Sequence, residues 1–246
     1  MILPHKKDAI HKAWLYRVLE AIADDAVLAP VMWFKGGTCA SMLNWLDRFS
    51  VDLDFDYAGK VSDIQKTRDA LENIAASLGL TIKDSSKNGI QYFFRYENKG
   101  SERNTIKIDA AFPLFVASTY APQRFVEIDR VLTCQTKETM VAHKLVALID
   151  RFEKTGHIAG RDVYDIHQFL INGFGYEQGV IQERRSCTVA KFLVQLHSFI
   201  DREVTETVIR EDLSTLLPVE VFVRIRKVLK RELMALLSDE IQRLGP

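Results

Sequence analysis

The spacing of apolar residues changes part-way along this chain, and that change limits its fold more than any other feature. Up to about residue 118, stretches with the three-to-four-residue spacing of an amphipathic helix alternate with stretches of strand character. From about residue 137 the spacing is helical almost to the end. The sequence therefore predicts an α+β protein in which a mixed sheet with flanking helices precedes an all-helical C-terminal half, with domains at residues 1–125 and 126–246.

The individual elements follow from the same periodicity and from turn residues. Strands are predicted at residues 31–34, 49–57, 80–83, 90–96 and 105–112. A turn at residues 98–101, rich in Asn, Gly and Ser, is expected to join the last two strands. Helices are predicted at residues 9–28 and 62–79, and then near residues 138–153, 161–172, 189–201 and 219–243.

Composition excludes several classes of protein. The chain has 33 Lys and Arg against 33 Asp and Glu, and this balance disfavours a protein that coats nucleic acid by bulk charge. No stretch approaches the roughly 18 apolar residues of a membrane span. The three cysteines are an odd number and lack metal-type spacing. We therefore expect a cytoplasmic protein with a packed core and no membrane partner.

A glycine pair, Gly36 and Gly37, separates a predicted strand from a further predicted helix, which carries Met42, Leu43 and Leu46. Glycine lets a ligand approach the backbone closely, and the start of a helix attracts anions, so this turn is a candidate phosphate site. Thr38 is expected to cap the helix. The alternative is a simple tight turn, which is the commoner meaning of an isolated Gly-Gly.

Acidic residues occupy alternate positions of the strand at residues 49–57: Asp52, Asp54 and Asp56. Asp52 and Asp54 would project from one face roughly 6–7 Å apart, and two carboxylates placed in this way can ligate divalent cations. On the strand at residues 105–112, Asp109 lies opposite the apolar positions, so a neighbouring strand would bring it beside this pair as a third oxygen ligand for Mg²⁺. The alternative is a solvent-facing strand with an acidic side.

The helical half adds two candidates. Lys144 lies at the edge of an apolar stripe, where it either snorkels to solvent or directs its charge at a triphosphate. In the following helix, Asp165 is expected to point inward, because for Asp162 the simpler interpretation is that it satisfies the helix N-terminus.

In order, these motifs resemble those of the AbiEii/AbiGii nucleotidyltransferase toxins, members of the DNA polymerase β-like nucleotidyltransferases. The matching segments are Lys-Gly-Gly-Thr (35–38), Arg-x-Ser-x-Asp-Leu-Asp (48–54), Asp109, Lys144 and Arg-Asp-x-x-Asp (161–165). The resemblance implies a polymerase β-like core and two Mg²⁺ ions held by Asp52, Asp54 and Asp109. It implies nucleotide-binding roles for Lys35, Gly36, Gly37, Thr38, Arg48, Ser50 and Lys144. It also implies catalytic roles for the three aspartates, Lys144 and Asp165.

The function that this resemblance implies is Mg²⁺-dependent transfer of a nucleotide from a nucleoside triphosphate to an acceptor such as a tRNA 3′ end. The protein would be the toxin of a type IV-like toxin–antitoxin or abortive infection system, with its antitoxin encoded nearby. Two alternatives stay open: a nucleotide-binding regulator without catalysis, and a transferase acting on a protein or small-molecule hydroxyl. Basic residues of the helical half are candidates for facing RNA, although a solvated helix face is the simpler interpretation: Arg184, Arg185, Arg224, Arg226, Lys227, Lys230 and Arg231.

Overall fold

A computed structural model describes residues 1–98 and 103–245, and within them seven strands form one mixed sheet. The strands are β1 (Met32–Lys35), β2 (Asp52–Tyr57), β3 (Thr81–Ser85), β4 (Ile90–Arg95), β5 (Thr105–Ala111), β6 (Tyr120–Phe125) and β7 (Arg130–Gln135). Their order is β3-β4-β5-β2-β1-β7-β6. The pairs β1–β7 and β2–β5 are parallel, whereas the other neighbours are antiparallel. The predicted mixed sheet is therefore confirmed.

Within the described part of the chain, three helices accompany the sheet: α1 (Asp8–Asp24), α2 (Gly36–Met42) and α3 (Ile64–Ser77), the last preceded by a 3-10 turn at Val61–Asp63. α1 buries Leu15, Val18, Leu19 and Ile22, which recur at the three-to-four-residue spacing that predicts this helix. On the sheet, Leu53 and Phe55 of β2 are also fully buried. Fully burying one such side chain contributes about 1.5–3 kcal/mol. Because successive strand residues point to opposite faces, burial of Leu53 sends Asp52 and Asp54 to the other face.

The C-terminal half is helical, as predicted. Its helices are α4 (Lys137–Thr155), α5 (Gly160–Ile171), α6 (Gln178–Arg185), α7 (Val189–Glu203), α8 (Glu206–Leu213), α9 (Val219–Ile225) and α10 (Leu229–Leu244). The Thr136 side chain caps α4 by accepting a hydrogen bond from the Thr139 amide, and Gly156 ends it in the left-handed conformation. Among residues 1–98 and 103–245, no helix is both long and apolar enough to cross a bilayer.

The chain divides into two compact units, each with its own core. The first unit contains Met1–Leu114 and Tyr120–Gln135, and the second contains Phe115–Thr119 and everything from Thr136 onward. The boundary that the sequence placed after residue 125 falls between β6 and β7, which are hydrogen-bonded partners. The first unit therefore continues through β7 to Gln135.

Several elements differ from the sequence prediction. β6 and β7 lie in the region expected to be a connection, because β6 is an edge strand that carries Pro122 and lacks a clear alternation. The predicted helix at residues 219–243 is interrupted after Ile225, although no Gly or Pro within residues 219–243 signals a break. α6 and α8 are too short to show the periodicity reliably. Of the turn predicted at residues 98–101, residues 99–101 lie outside the described ranges.

Candidate functional site

The acidic strand and its neighbour place three carboxylates on one face of the sheet. β2 and β5 run parallel with Asp54 opposite Asp109 and Asp52 opposite Lys107, and paired residues project to the same side. Asp52, Asp54 and Asp109 are all half-buried. The expectation that a neighbouring strand would bring Asp109 beside the Asp52 and Asp54 pair therefore agrees with the register.

Asp109 already has two partners on this face. The Lys107 ammonium lies 2.5 Å from Asp109 Oδ2, and the Gln91 side-chain amide donates to the same oxygen at 3.1 Å. Within residues 1–98 and 103–245, no three Asp, Glu, His or Cys side chains converge closely enough to form a metal site on their own. Asp52 and Asp54 still fit a hard cation, since Mg²⁺ is usually bound by one or two carboxylates together with water and substrate phosphates. Ligation by Asp109 would exchange Lys107 for the cation.

The glycine turn, Gly36 and Gly37, packs directly on Asp54 of the acidic strand. Gly36 has a φ of +79°, and a Cβ placed on it would lie 2.6 Å from Asp54 Oδ2. A Cβ on Gly37 would lie 2.5 Å from the Arg48 guanidinium and 3.0 Å from the Ser50 hydroxyl. At Gly36 the close contact and the left-handed backbone both favour glycine, whereas at Gly37 a Cβ would require the Arg48 guanidinium to move. The turn brings the chain within contact distance of an acidic side chain.

Thr38 does not cap the helix, which corrects that prediction. α2 begins at Gly36 with Lys35 at the N-cap position and no side-chain cap. The fully buried Thr38 hydroxyl instead donates to the Asp52 carbonyl at 2.5 Å. It thereby fixes the seven-residue α2 to the first residue of the acidic strand, a role that the helix-cap pattern could not reveal.

Arg48 and Ser50 are buried beneath the glycine turn, with relative exposures of 3% and 8%. Arg48 donates to the Phe49 carbonyl at 2.9 Å, and its own carbonyl accepts from the Ser41 hydroxyl at 2.8 Å. A buried guanidinium keeps its positive charge because its pKa is far above neutral. It therefore places a permanent charge behind Gly37.

Lys35 is bonded to Asp56, the third acidic residue of β2. The distance from Lys35 Nζ to Asp56 Oδ1 is 2.5 Å. Tyr120 and Gln135 donate to Asp56 Oδ2 at 2.8 and 2.6 Å. The sequence resemblance implied that Lys35 is a nucleotide ligand. It gave no signal that Lys35, Tyr120 and Gln135 would all bond to Asp56, because these residues come from strands distant in the chain.

The second unit contains a separate cluster around Lys144. Its ammonium lies 2.6 Å from Asp162 Oδ1 and 2.9 Å from Asp165 Oδ2, and Arg151 lies 3.3 Å from Asp162 Oδ2. Both carboxylates are inaccessible to solvent, with side-chain exposures of 1% and 0%. Asp165 points inward as predicted. Asp162 does so too, and it forms ion pairs where the sequence predicted an interaction with the helix N-terminus.

The electrostatics of this cluster favour the ionised form of Asp162. Burial by itself raises the pKa of Asp162, but the charges of Lys144 and Arg151 outweigh it and lower the pKa to about 2. A buried ion pair is stable only when each charge keeps its partners, since the desolvation of an unpaired charge is costly. Lys144 thus acts as the shared counter-ion of two buried acids.

Comparison with known proteins now identifies the family. The sequence model of the nucleotidyl transferase AbiEii toxin of type IV toxin–antitoxin systems matches residues 17–228. The fold resembles the crystal structure of a candidate nucleotidyltransferase from Helicobacter pylori, with a TM-score of 0.59, 18% identity and coverage of 98% of this chain and 99% of that one. It also resembles JHP933 of Helicobacter pylori, with a TM-score of 0.55, 19% identity and coverage of 99% and 98%.

No curated protein is significantly similar to the chain. The family match nevertheless extends over most of its length and includes the glycine turn, the acidic strand, Lys144 and Asp165. The structural similarity agrees with the predicted nucleotidyltransferase fold. The chain belongs to the AbiEii family of nucleotidyltransferase toxins of type IV toxin–antitoxin systems.

Proposed function

We propose that this nucleotidyltransferase transfers a nucleotide from a nucleoside triphosphate to the 3′ end of an RNA, with tRNA as the favoured acceptor, in a Mg²⁺-dependent reaction in the cytoplasm. The observation that carries the proposal is the packing of the glycine turn on Asp54, with Asp52 and Asp109 on the same sheet face. A turn without side chains can admit a triphosphate next to carboxylates that hold the cation.

Each residue of the first unit has a proposed task. Asp52 and Asp54 would hold Mg²⁺, with Asp109 as a third ligand. When bound, Mg²⁺ supplies Lewis-acid stabilisation of phosphate charge. The backbone of Gly36, Gly37 and Thr38 would cradle the phosphates, and Lys35, Arg48 and Ser50 would support that cradle. Arg48 does so from beneath Gly37.

The transfer step is a displacement at the α-phosphorus. The terminal hydroxyl oxygen of the acceptor forms the new bond to phosphorus, the bond to the bridging oxygen breaks, and pyrophosphate leaves. Asp109 would accept the hydroxyl proton. We further propose that Lys144 and Asp165 are needed for activity, as their motif positions imply.

RNA as acceptor is supported by the basic segment, which we define as residues 224–231. Arg224, Lys227 and Arg231 are exposed, and none of them forms a salt bridge with a carboxylate of residues 1–98 or 103–245. By contrast, Arg184 and Arg185 are bonded to Asp150. Of the two remaining candidates, which lie within the segment, Lys230 is 4.0 Å from an Asp201 carboxylate oxygen and Arg226 is half-buried. Free cations gathered in one short segment can bind phosphates, which paired cations do less readily.

The proposal is tested by incubating the protein with Mg²⁺, each of the four α-labelled nucleoside triphosphates in turn, and total RNA. We expect label on RNA with at least one nucleotide, and its loss in Asp52→Ala and Asp54→Ala. Asp129→Asn is the matched control, because Asp129 is a mostly exposed carboxylate of the same unit, paired with Arg124. Label on protein or on a small molecule, or no label at all, would refute RNA as the acceptor.

The antitoxin implied by the family is proposed to be encoded next to this protein. Co-expression of the neighbouring reading frame should restore growth to cells in which the wild-type protein stops it. The Asp52→Ala variant should not stop growth even when that frame is absent.

A further inference from the structure

The third acidic residue of β2 has a different environment from the other two. Asp56 lies on the same face as Asp52 and Asp54, yet its side chain is only 8% exposed. Its Oδ1 binds the Lys35 ammonium, and its Oδ2 accepts from the Tyr120 hydroxyl and the Gln135 amide. Both oxygens are therefore engaged by donors from other strands, and Asp56 is poorly suited to hold a cation itself.

Two acidic residues of β2, Asp54 and Asp56, are close enough to Lys35 to form an ion pair with it. It ends β1, which pairs antiparallel with β2, and its partner in the register is Asp54. Side chains directly opposite each other in such a pair have Cβ atoms about 4.5–5.5 Å apart. The long Lys35 side chain can thus reach Asp54, but its ammonium lies 2.5 Å from Asp56.

The position of this ammonium matters for any cation bound nearby. A lysine ammonium and a divalent cation compete for the same carboxylate oxygens. Tyr120 and Gln135 fix the orientation of Asp56, and Asp56 in turn fixes Lys35. The four groups come from β1, β2, β6 and β7, so one hydrogen-bonded network spans the half of the sheet beside the acidic pair.

We infer that Asp56 is a positioning residue that holds the Lys35 ammonium away from Asp54, so that a divalent cation binds Asp52 and Asp54 without competition from Lys35. This inference rests on the proposed function, in which Asp52 and Asp54 hold the cation. Asp56 itself touches neither the cation nor the nucleotide. Its effect passes entirely through Lys35, and a merely structural role would not depend on Lys35 in this way.

The test measures Mn²⁺ binding to the whole protein, without nucleotide or turnover, by electron paramagnetic resonance of the free ion. The variants are Asp56→Asn, Lys35→Met and the double variant. We expect Asp56→Asn to weaken Mn²⁺ binding about fivefold, because a competing ion pair is worth up to about 1 kcal/mol. The double variant should bind like wild type, since it has no ammonium to compete. Lys35→Met alone should bind at least as tightly as wild type.

Two controls complete the design. Asp129→Asn removes an exposed carboxylate from the same unit and should leave binding unchanged. Tyr120→Phe removes a single donor to Asp56 and should weaken Mn²⁺ binding by a smaller factor than Asp56→Asn. It replaces Asp56→Asn in the test if that variant fails to fold.

Three results would overturn the inference. The first is equal weakening in Asp56→Asn and in the double variant, which would mean that Asp56 acts independently of Lys35. The second is wild-type affinity in Asp56→Asn. The third is that the wild-type protein binds no Mn²⁺, or that Asp52→Ala binds Mn²⁺ as tightly as wild type. This result would refute the proposed metal site together with the inference.

Discussion

At the scale of single residues, the contact between the glycine turn and Asp54 gives the most direct test of the site. Gly36→Ala adds a Cβ 2.6 Å from Asp54 Oδ2 and also strains a backbone with φ of +79°. The strain alone costs about 1–2 kcal/mol. We expect RNA labelling to fall at least tenfold because the Cβ displaces Asp54.

Gly79→Ala separates these two effects. Gly79 has a similar φ of +67°, but nothing lies within 4 Å of the position that its Cβ would take. It should therefore lose only the stability that the backbone strain costs, about 1–2 kcal/mol in urea unfolding, and keep full labelling activity. Equal activity of the two variants would show that the contact with Asp54 has no functional importance.

The buried carboxylate of Asp162 makes a second prediction at this scale. Its pKa of about 2 in the folded protein lies below the ordinary aspartate value near 4, so its ion pairs stabilise the fold above pH 4. That stabilisation is lost as the pH falls from 4 to 2, since the unfolded chain then binds the proton more readily than the folded one. The size is about 2 kcal/mol, from 1.36 kcal/mol per pKa unit.

The measurement is urea unfolding at pH 5 and at pH 2.5. Wild type should lose more free energy of unfolding than Asp162→Asn over this interval, by up to about 2 kcal/mol. Asp129→Asn, which lacks a mostly exposed carboxylate, should behave like wild type. An equal loss of free energy of unfolding in wild type and Asp162→Asn would mean that the charge of Asp162 does not contribute to the stability of the fold.

At the scale of secondary-structure elements, the site depends on strand pairing more than on any single helix. The alternation of β2 was visible in the sequence because Leu53 and Phe55 had to be buried. The polar side of β5 was visible for the same reason, so Asp109 beside Asp54 could be foreseen. β6 carries no such alternation, and that of β7 covers only Leu132 to Cys134. The partners of Asp56 that these strands supply, Tyr120 and Gln135, could therefore not be foreseen.

The basic segment makes a prediction at this scale, because it joins the end of α9 to the start of α10. The triple variant Arg224→Ala, Lys227→Ala, Arg231→Ala should bind the acceptor RNA more weakly. The slope of log affinity against log salt should decrease by about 0.7 for each phosphate of a single strand that the variant no longer neutralises. The Michaelis constant for the nucleotide should not change.

The control for the triple variant is Arg202→Ala with Arg243→Ala. Both arginines are mostly exposed cations of the same unit, and each is paired with a glutamate. RNA binding by this double variant should remain close to wild type. An unchanged salt slope in the triple variant would exclude the basic segment as a phosphate-binding surface.

At the scale of the whole molecule, the sequence predicts the family and the order of the two halves but not the path of the chain between the two units. The motif order along the chain indicated the family, and the change in periodicity indicated a sheet followed by helices. Residues 115–119 belong to the second unit although the chain then goes back to the first unit for residues 120–135. This excursion was not predictable, because it depends on tertiary contacts. There the Glu183 carboxylate accepts from the Val116 and Ala117 amides at 2.9 Å each.

The zero net charge leads to the last prediction, which concerns how much of an RNA the protein contacts. A chain with 33 positive and 33 negative residues lacks the excess charge that long phosphate tracks require. We therefore expect contact with only the few nucleotides near the 3′ end. A short hairpin that ends in the same single-stranded 3′ sequence should then be labelled with a kcat/KM within about threefold of that of the full-length tRNA, a difference below about 1 kcal/mol. A hairpin blocked at its terminal hydroxyl is the negative control. A decrease of more than tenfold for the open hairpin would mean that the protein also reads distant parts of the RNA, and that exposed cations outside the basic segment contribute to binding.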